Sequence, residues 1–525
     1  MKIIIDLYKK FFWIGLIIIS IMGVACDLVL TRHGAGASGD AVWYLQGAEN
    51  LLKGIGYGIL RSDGFIPNKM YPPFYSITLA GLSVMGLPLI VIARFFNALL
   101  LGIIIFLIGW LVYQLTHSPI TSIIASCFIL LSFDYLFIFT WAMSEPLYIF
   151  LSVVSFCLFY QYHKHRKPIY SYLMVFFAGL SVITRYIGIS LVAAMCLWVL
   201  IFEQKKIKSR ILDVIILILI GILPTIIFFI VSSGQAQAAG RSEILFRLIP
   251  RENLVQIEIA LIGWYSPVFS NISNLMRYIV EILLLLISIS PYLFYYKSIN
   301  RLPIDNPGFL LRNQMLSIAY ISFYLIIMLL SIILSLAGNP TDSSKNQVLR
   351  YILPIYPIFI LFMAIMFYLI YQKLSQLRKV LYIQFSPLLV SISLSLILLY
   401  NFSRQALTPQ HYGYTEIINN YPQLVDQLDL YSASRPIITN NYELTYFMIN
   451  KPVYSIPGRG DELTGIPNPN YRKLMDNIMK EIKDNGVVVL FISTPDDIVE
   501  YQSLLAGLHI IDKYDQITLY SINGK

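Results

Sequence analysis

The chain is sparing with charge, so the charged residues in or beside its apolar stretches stand out. They are Asp27, Asp40, Arg94, Asp134, Glu145, Arg185, Arg277, Glu281 and Arg350. Carboxylates in such places can take up or release a proton at a reacting group. Guanidinium groups can grip a phosphate or a carboxylate through two parallel hydrogen bonds. A charge within a membrane segment is costly and points first to function. Asp40 opens the stretch Asp40-Ala41-Val42-Trp43-Tyr44-Leu45-Gln46-Gly47-Ala48-Glu49-Asn50-Leu51-Leu52. Apolar residues at 44, 45, 48, 51 and 52 follow helical spacing there. An Asp at a helix start can also be a plain cap accepting backbone N–H bonds. The local sequence leaves both roles open.

The elements that must position these residues are membrane helices. The chain has 525 residues, 57% hydrophobic and 13% charged. Soluble domains carry roughly 25% charged residues. About half that share cannot cover three soluble domains with water-facing surface. Disorder, collagen, a disulfide scaffold and a coiled coil are excluded by the same composition. The net charge of +9 reflects basic loops facing anionic headgroups. No zinc-ligand spacing or aromatic–basic nucleic-acid motif is present, so nucleic acid is not an expected partner. Cys26, Cys127, Cys157 and Cys196 lie in apolar runs with no C-x-x-C pair and read as free thiols.

Runs long enough to cross a bilayer fall at 11–30, 87–115, 120–138, 146–162, 169–184, 186–202, 211–231, 275–295, 315–336, 351–371 and 381–400. That predicts about eleven spans, some of them short. The first run is too long for a signal peptide and reads as an uncleaved anchor. Residues 71–86 are apolar but short, opened by Pro72-Pro73 and broken by glycines. If they do not cross, the basic loops at 163–167, 203–210, 297–312 and 372–379 all fall on the cytoplasmic side, with the N-terminus. We therefore expect a re-entrant or interfacial helix at 71–86. Residues 31–86 then form a long external loop, and everything after 401 is external too. Residues 1–400 read as the transmembrane catalytic domain. Residues 401–525 read as an extracytoplasmic α/β domain, with strands at 436–440, 453–457, 487–493 and a pair in 510–522, and helices at 471–483 and 496–506. The location expected is the plasma (inner) membrane.

With that orientation, the charges within the spans gather at the outer rim. The midplane and inner halves are nearly free of them. A transporter needs polar groups near the midplane, and a proton relay needs a chain of them. The one-sided pattern instead predicts a pocket at the outer interface, where a lipid-linked headgroup would lie.

The order of motifs carries a resemblance. Gly39-Asp40-x-x-x-Tyr44, Gly56-Tyr57-Gly58, Tyr71-Pro72-Pro73-Phe74-Tyr75, Ser144-Glu145-Pro146-Leu147, Thr184-Arg185-Tyr186 and Arg350-Tyr351-x-x-Pro354 occur in turn. Over about the first 370 residues the chain resembles the GT-C superfamily of membrane glycosyltransferases. The likeness is to the family 39-like branch, which includes aminoarabinose transferase and relatives of the protein O-mannosyltransferases. The resemblance implies a GT-C fold and an inverting transfer of a sugar from a polyprenyl-phosphate donor. It implies Asp40 as base and Glu145 as a second carboxylate that orients the acceptor or helps hold a divalent metal. Arg350 and Arg185 would bind the donor phosphate, with Lys69 beside them, and Tyr44 and Tyr71 would shape the pocket. Relatives often have two adjacent acids where Asp40-Ala41 stands here, and often a Lys directly before the Pro, whereas Met70-Tyr71 intervenes. The acceptor can be a lipid, a glycan or a protein. The competing readings are a lipid-linked glycan polymerase or ligase, and a polytopic transporter or flippase.

Overall fold

The computed structural model describes residues 2–233, 307–333, 350–375, 412–460, 467–484, 486–491 and 501–522 save 503, with a short piece at 254–261 save 256 and 260. Helix α1 (Lys2–Leu30) emerges into a loop holding α2 (Gly39–Leu52) and the hairpin β1 (Gly58–Arg61) and β2 (Gly64–Pro67), then α3 (Phe74–Leu82). The membrane body continues with α4 (Leu89–Thr116), α5 (Pro119–Leu131), α6 (Phe133–Phe139), α7 (Glu145–His165), α8 (Pro168–Thr184), α9 (Ile189–Phe202), α10 (Ile207–Ser233), α11 (Pro307–Ile333) and α12 (Tyr356–Ser375).

Four helices among the described residues are long and apolar enough to cross a bilayer: Lys10–Leu30, Leu89–Thr116, Ile207–Val231 and Arg350–Gln372. The expected continuous span at 120–138 is a correction. It breaks at Ser132 into α5 and α6, bent by 66°. Ser132 is extended there (ψ 99°) and serves as the end of one helix and the start of the next. The expected spans at 275–295 and 381–400 lie outside the described residues. At nine residues, α3 is roughly 14 Å long at 1.5 Å per residue, too short to cross. That length is in keeping with residues 71–86 not crossing.

Lipid supplies no hydrophobic drive between helices, so packing and buried polar bonds hold the body together. Ser122 donates to the Gly109 carbonyl at 2.6 Å and Ser126 to the Ile105 carbonyl at 3.3 Å, tying α5 to α4. The hydroxyls of Tyr148 and Tyr320, both fully buried, meet at 2.8 Å and join α7 to α11. All four cysteines are free; Cys157 and Cys196 are buried, and Cys26 and Cys127 are half-buried.

The loop helix α2 departs from the amphipathic expectation. Residues Ala41 to Ala48 and Asn50 are buried, polar side included. The cause is the C-terminal unit, which covers the face turned away from the membrane body. That unit carries α13 (Tyr414–Asn420), α14 (Pro422–Ser432), β3 (Ile437–Thr439), α15 (Tyr442–Ile449), β4 (Tyr454–Ser455), α16 (Tyr471–Lys483), β5 (Val487–Phe491), β6 (His509–Tyr514) and β7 (Ile517–Ser521). Its five strands form one mixed sheet in the order β4-β3-β5-β7-β6. β3 runs parallel to β4 and β5, and β7 antiparallel to β5 and β6. The expected strands and the 471–483 helix are present; most of the helix expected at 496–506 lies outside the described residues. The alternation in the sequence missed α13, α14 and α15, of which α13 and α15 touch the loop.

Candidate active site

The site forms where three chain segments are held in register. Gly36 donates its N–H to the Thr140 carbonyl (2.8 Å) and accepts from Ala142 N–H (2.9 Å). Ala37 donates to the Tyr412 carbonyl (3.2 Å) and accepts from Tyr414 N–H (2.9 Å). Residues 36–37 thus run between the segment leading into α7 and the segment leading into α13. A Cβ on Gly36 would sit 2.8 Å from the Trp141 ring, and Gly413 has φ +60° with the Ala37 carbonyl where a Cβ would go. Both positions require glycine. The ladder fixes Asp40, just beyond it on α2, relative to Glu145, the first residue of α7.

Asp40 does not cap its helix. Ser38 holds the cap position, without a side-chain cap bond. The Asp40 carboxylate instead accepts from the Tyr71 hydroxyl at Oδ1 (2.5 Å) and from Arg350 Nη2 at Oδ2 (2.6 Å). Burial pushes this carboxyl up, but the Arg350 charge, with the Tyr71 and Arg350 hydrogen bonds and the Arg185 charge, holds it below the usual carboxylate range. Arg350 Nε donates to Glu145 Oε1 at 2.6 Å. Arg185 Nη1 pairs with the same oxygen at 2.8 Å and reaches Ser144 Oγ at 3.3 Å. Glu145 is fully buried, and its Oε2 has no partner among the described residues. A buried carboxylate is tolerated only when paired, and two guanidiniums do so here.

Aromatic rings wall this cluster. Tyr44 shares a 2.9 Å hydrogen bond with Ser144, and its ring lies 5.3 Å from those of Tyr71 and Tyr75. The Tyr324 hydroxyl donates to the Tyr351 carbonyl at 2.6 Å and so anchors the backbone beside Arg350. Lys69 is half-buried; its carbonyl accepts from Tyr186, the neighbour of Arg185, at 2.9 Å. Its ammonium has no ion-pair partner among the described residues.

Six of the seven residues expected at the site therefore converge: Asp40, Glu145, Arg185, Arg350, Tyr44 and Tyr71. Lys69 is joined to the rim through its backbone. Sequence reasoning missed Ser144 as a shared partner, although it sits within the quoted motif. Arg277 and Glu281 lie outside the described residues. The expected metal at Asp40 and Glu145 meets a poor fit. A guanidinium joins the two carboxylates, and no group of three or more His, Cys, Asp or Glu side chains is gathered among the described residues.

Residues 68–233 match the family model described as dolichyl-phosphate-mannose-protein mannosyltransferase. The fold is similar to the crystal structure of ArnT from Cupriavidus metallidurans bound to undecaprenyl phosphate. The TM-score is 0.57 and the identity 12%, covering 97% of each chain. The chain shares the fold of ArnT. The apo structure of the same ArnT matches with a TM-score of 0.56 and 11% identity, covering 98% of each chain. No curated protein sequence matches this chain.

Proposed function

We propose that the chain transfers a sugar from a polyprenyl-phosphate donor to an acceptor hydroxyl at the outer membrane face, with inversion at the anomeric carbon. The observation that carries this reading is the cluster of Asp40, Arg350, Glu145 and Arg185 at one end of the helix bundle, beside the first loop. Its likeness to ArnT, which was crystallised with undecaprenyl phosphate, supports the donor class.

The chemistry follows from the cluster. Asp40 takes the proton of the acceptor hydroxyl as that oxygen attacks the anomeric carbon. The bond between that carbon and the donor's phosphate oxygen breaks, and the polyprenyl phosphate leaves with the electron pair. Its growing negative charge needs fixed cations. Two carboxylates and two guanidiniums sum to zero charge, so the phosphate must draw Arg350 partly from its carboxylates or find another cation. Lys69 is that further cation. Glu145 keeps both guanidiniums oriented.

The C-terminal unit touches the first loop, so both lie on one side of the membrane. We place that side outside the plasma (inner) membrane and the N-terminus in the cytoplasm. The acceptor is a lipid, a glycan or a protein. Reconstitution in liposomes with sugar-loaded undecaprenyl phosphate tests the reading. Release of undecaprenyl phosphate that depends on acceptor-containing membrane extract is expected. If no release occurs with any sugar that the native membrane attaches to this lipid, the reading falls.

A further inference from the structure

Gly39, the residue before Asp40, packs against the C-terminal unit. A Cβ on Gly39 would lie 3.7 Å from Glu443 Cγ and 3.8 Å from the Tyr414 hydroxyl, ordinary contact distances with no clash. The Tyr414 hydroxyl is 3.5 Å from Asn441 Oδ1, and its ring lies 6.2 Å from that of Phe447. Tyr414, Asn441, Glu443 and Phe447 are each half-buried rather than sealed. The Glu443 carboxylate makes no hydrogen bond or ion pair with another described residue. Tyr414 is held in place by its own N–H, bonded to the Ala37 carbonyl at 2.9 Å, three residues before Asp40.

Asp40 has room for a further donor. An ionised carboxylate offers about four acceptor sites, and Tyr71 and Arg350 use two of them. The Asp40 side chain is 27% exposed, and Tyr414 and Glu443 stand against Gly39, the residue next to it.

We propose that Tyr414 and Glu443 form the acceptor subsite, and that it takes a neutral carbohydrate rather than a phosphate-bearing headgroup. The inference rests on Asp40 acting as base. Its chemical basis is a carboxylate that can accept from paired sugar hydroxyls, set beside an aromatic ring that can pack against a sugar face. The Glu443 carboxylate, without a described ion-pair partner, repels an anionic acceptor, and the Arg61 guanidinium on this side lies against the Tyr442 ring at 5.0 Å. Burial first, then the charges of Glu443 and Asp40, push the Tyr414 hydroxyl up, which keeps it a neutral donor.

The test uses the full-length protein in detergent with two probes. Undecaprenyl phosphate reports the donor half by thermal shift. An array of neutral and phosphate-bearing oligosaccharides reports the acceptor half. Wild type is expected to favour neutral glycans. Glu443→Gln and Tyr414→Phe should weaken that binding at least tenfold and leave the undecaprenyl phosphate shift within threefold. Glu443→Lys should turn the preference toward the phosphate-bearing glycans, a gain that misfolding cannot mimic. The proposal is overturned if wild type binds no neutral glycan, if it prefers the phosphorylated set, or if the variants bind neutral glycans as wild type does. Failure of undecaprenyl phosphate to stabilise wild type would instead count against the donor reading, whatever the array shows.

Discussion

Arg350 Nη2 lies 2.6 Å from Asp40 Oδ2, across 310 residues of chain. The same guanidinium donates through Nε to Glu145. One side chain thus links the loop helix α2 to the first turn of α7, and both carboxylates take their geometry from it. An arginine can do this because its planar fork presents several donors in fixed directions. A lysine, as a single point of charge, cannot hold both acids in the same way.

Replacing Asp40 by Asn keeps the shape and removes the base. Transfer should fall by about 10²–10⁴, the usual contribution of a general base. Donor affinity should change little. Steady-state transfer with separate kcat and KM checks this, and a near wild-type kcat would remove Asp40 from the mechanism.

Removing Arg350 should cost stability as well as rate. Arg350→Ala leaves the fully buried Glu145 with Arg185 as its remaining charge partner. Breaking a buried pair typically costs 3–5 kcal/mol; with Arg185 still in place, about 3 kcal/mol is expected. Unfolding midpoints of Arg350→Ala, Glu145→Ala and the double variant give the coupling. If the two single losses simply add, the contact contributes nothing.

The acidity of Asp40 should be visible in a pH profile. Its carboxyl is held below the usual range despite burial, chiefly by Arg350. A depressed carboxyl contributes stability above its unfolded value, roughly 3.9. That contribution is lost as pH falls through the lower folded value. The acid limb of kcat/KM should therefore lie below the ordinary carboxylate range. In Arg350→Met the limb should move upward, toward neutral pH. An acid limb that stays in place would show that Arg350 does not set the Asp40 charge.

The glycine ladder gives a test of positioning. Gly413→Ala forces a side chain into a left-handed φ of +60° and against the Ala37 carbonyl. Strain of this kind costs on the order of 1–3 kcal/mol. The variant should lose transfer while still being stabilised by undecaprenyl phosphate, because the arginine cluster is left intact. Loss of both would mean that the ladder supports the whole fold rather than the placement of Asp40.

The membrane character, the position of most of the described apolar helices and the candidate acids and arginines were legible in the residue order. Hydropathy is a local property, and Asp40, Glu145, Arg185 and Arg350 stand out because charge at the end of an apolar run is costly. The helix Tyr471–Lys483 and the strands of the C-terminal sheet were legible for the same reason, through periodicity. The break at Ser132 was not, because the run Ile120–Ile138 stays apolar through the bend. Nor was the burial of both faces of α2, since its polar residues Gln46 and Glu49 meet Tyr442 and Tyr446 from nearly 400 residues away. The sequence alone determined which residue types would stand at the ends of the apolar runs. Only the tertiary structure decided that one guanidinium joins two carboxylates and that Tyr414 and Glu443 stand over Gly39. Contacts between residues hundreds of positions apart leave no period or spacing in the chain, and they form only when the helices and the sheet have packed.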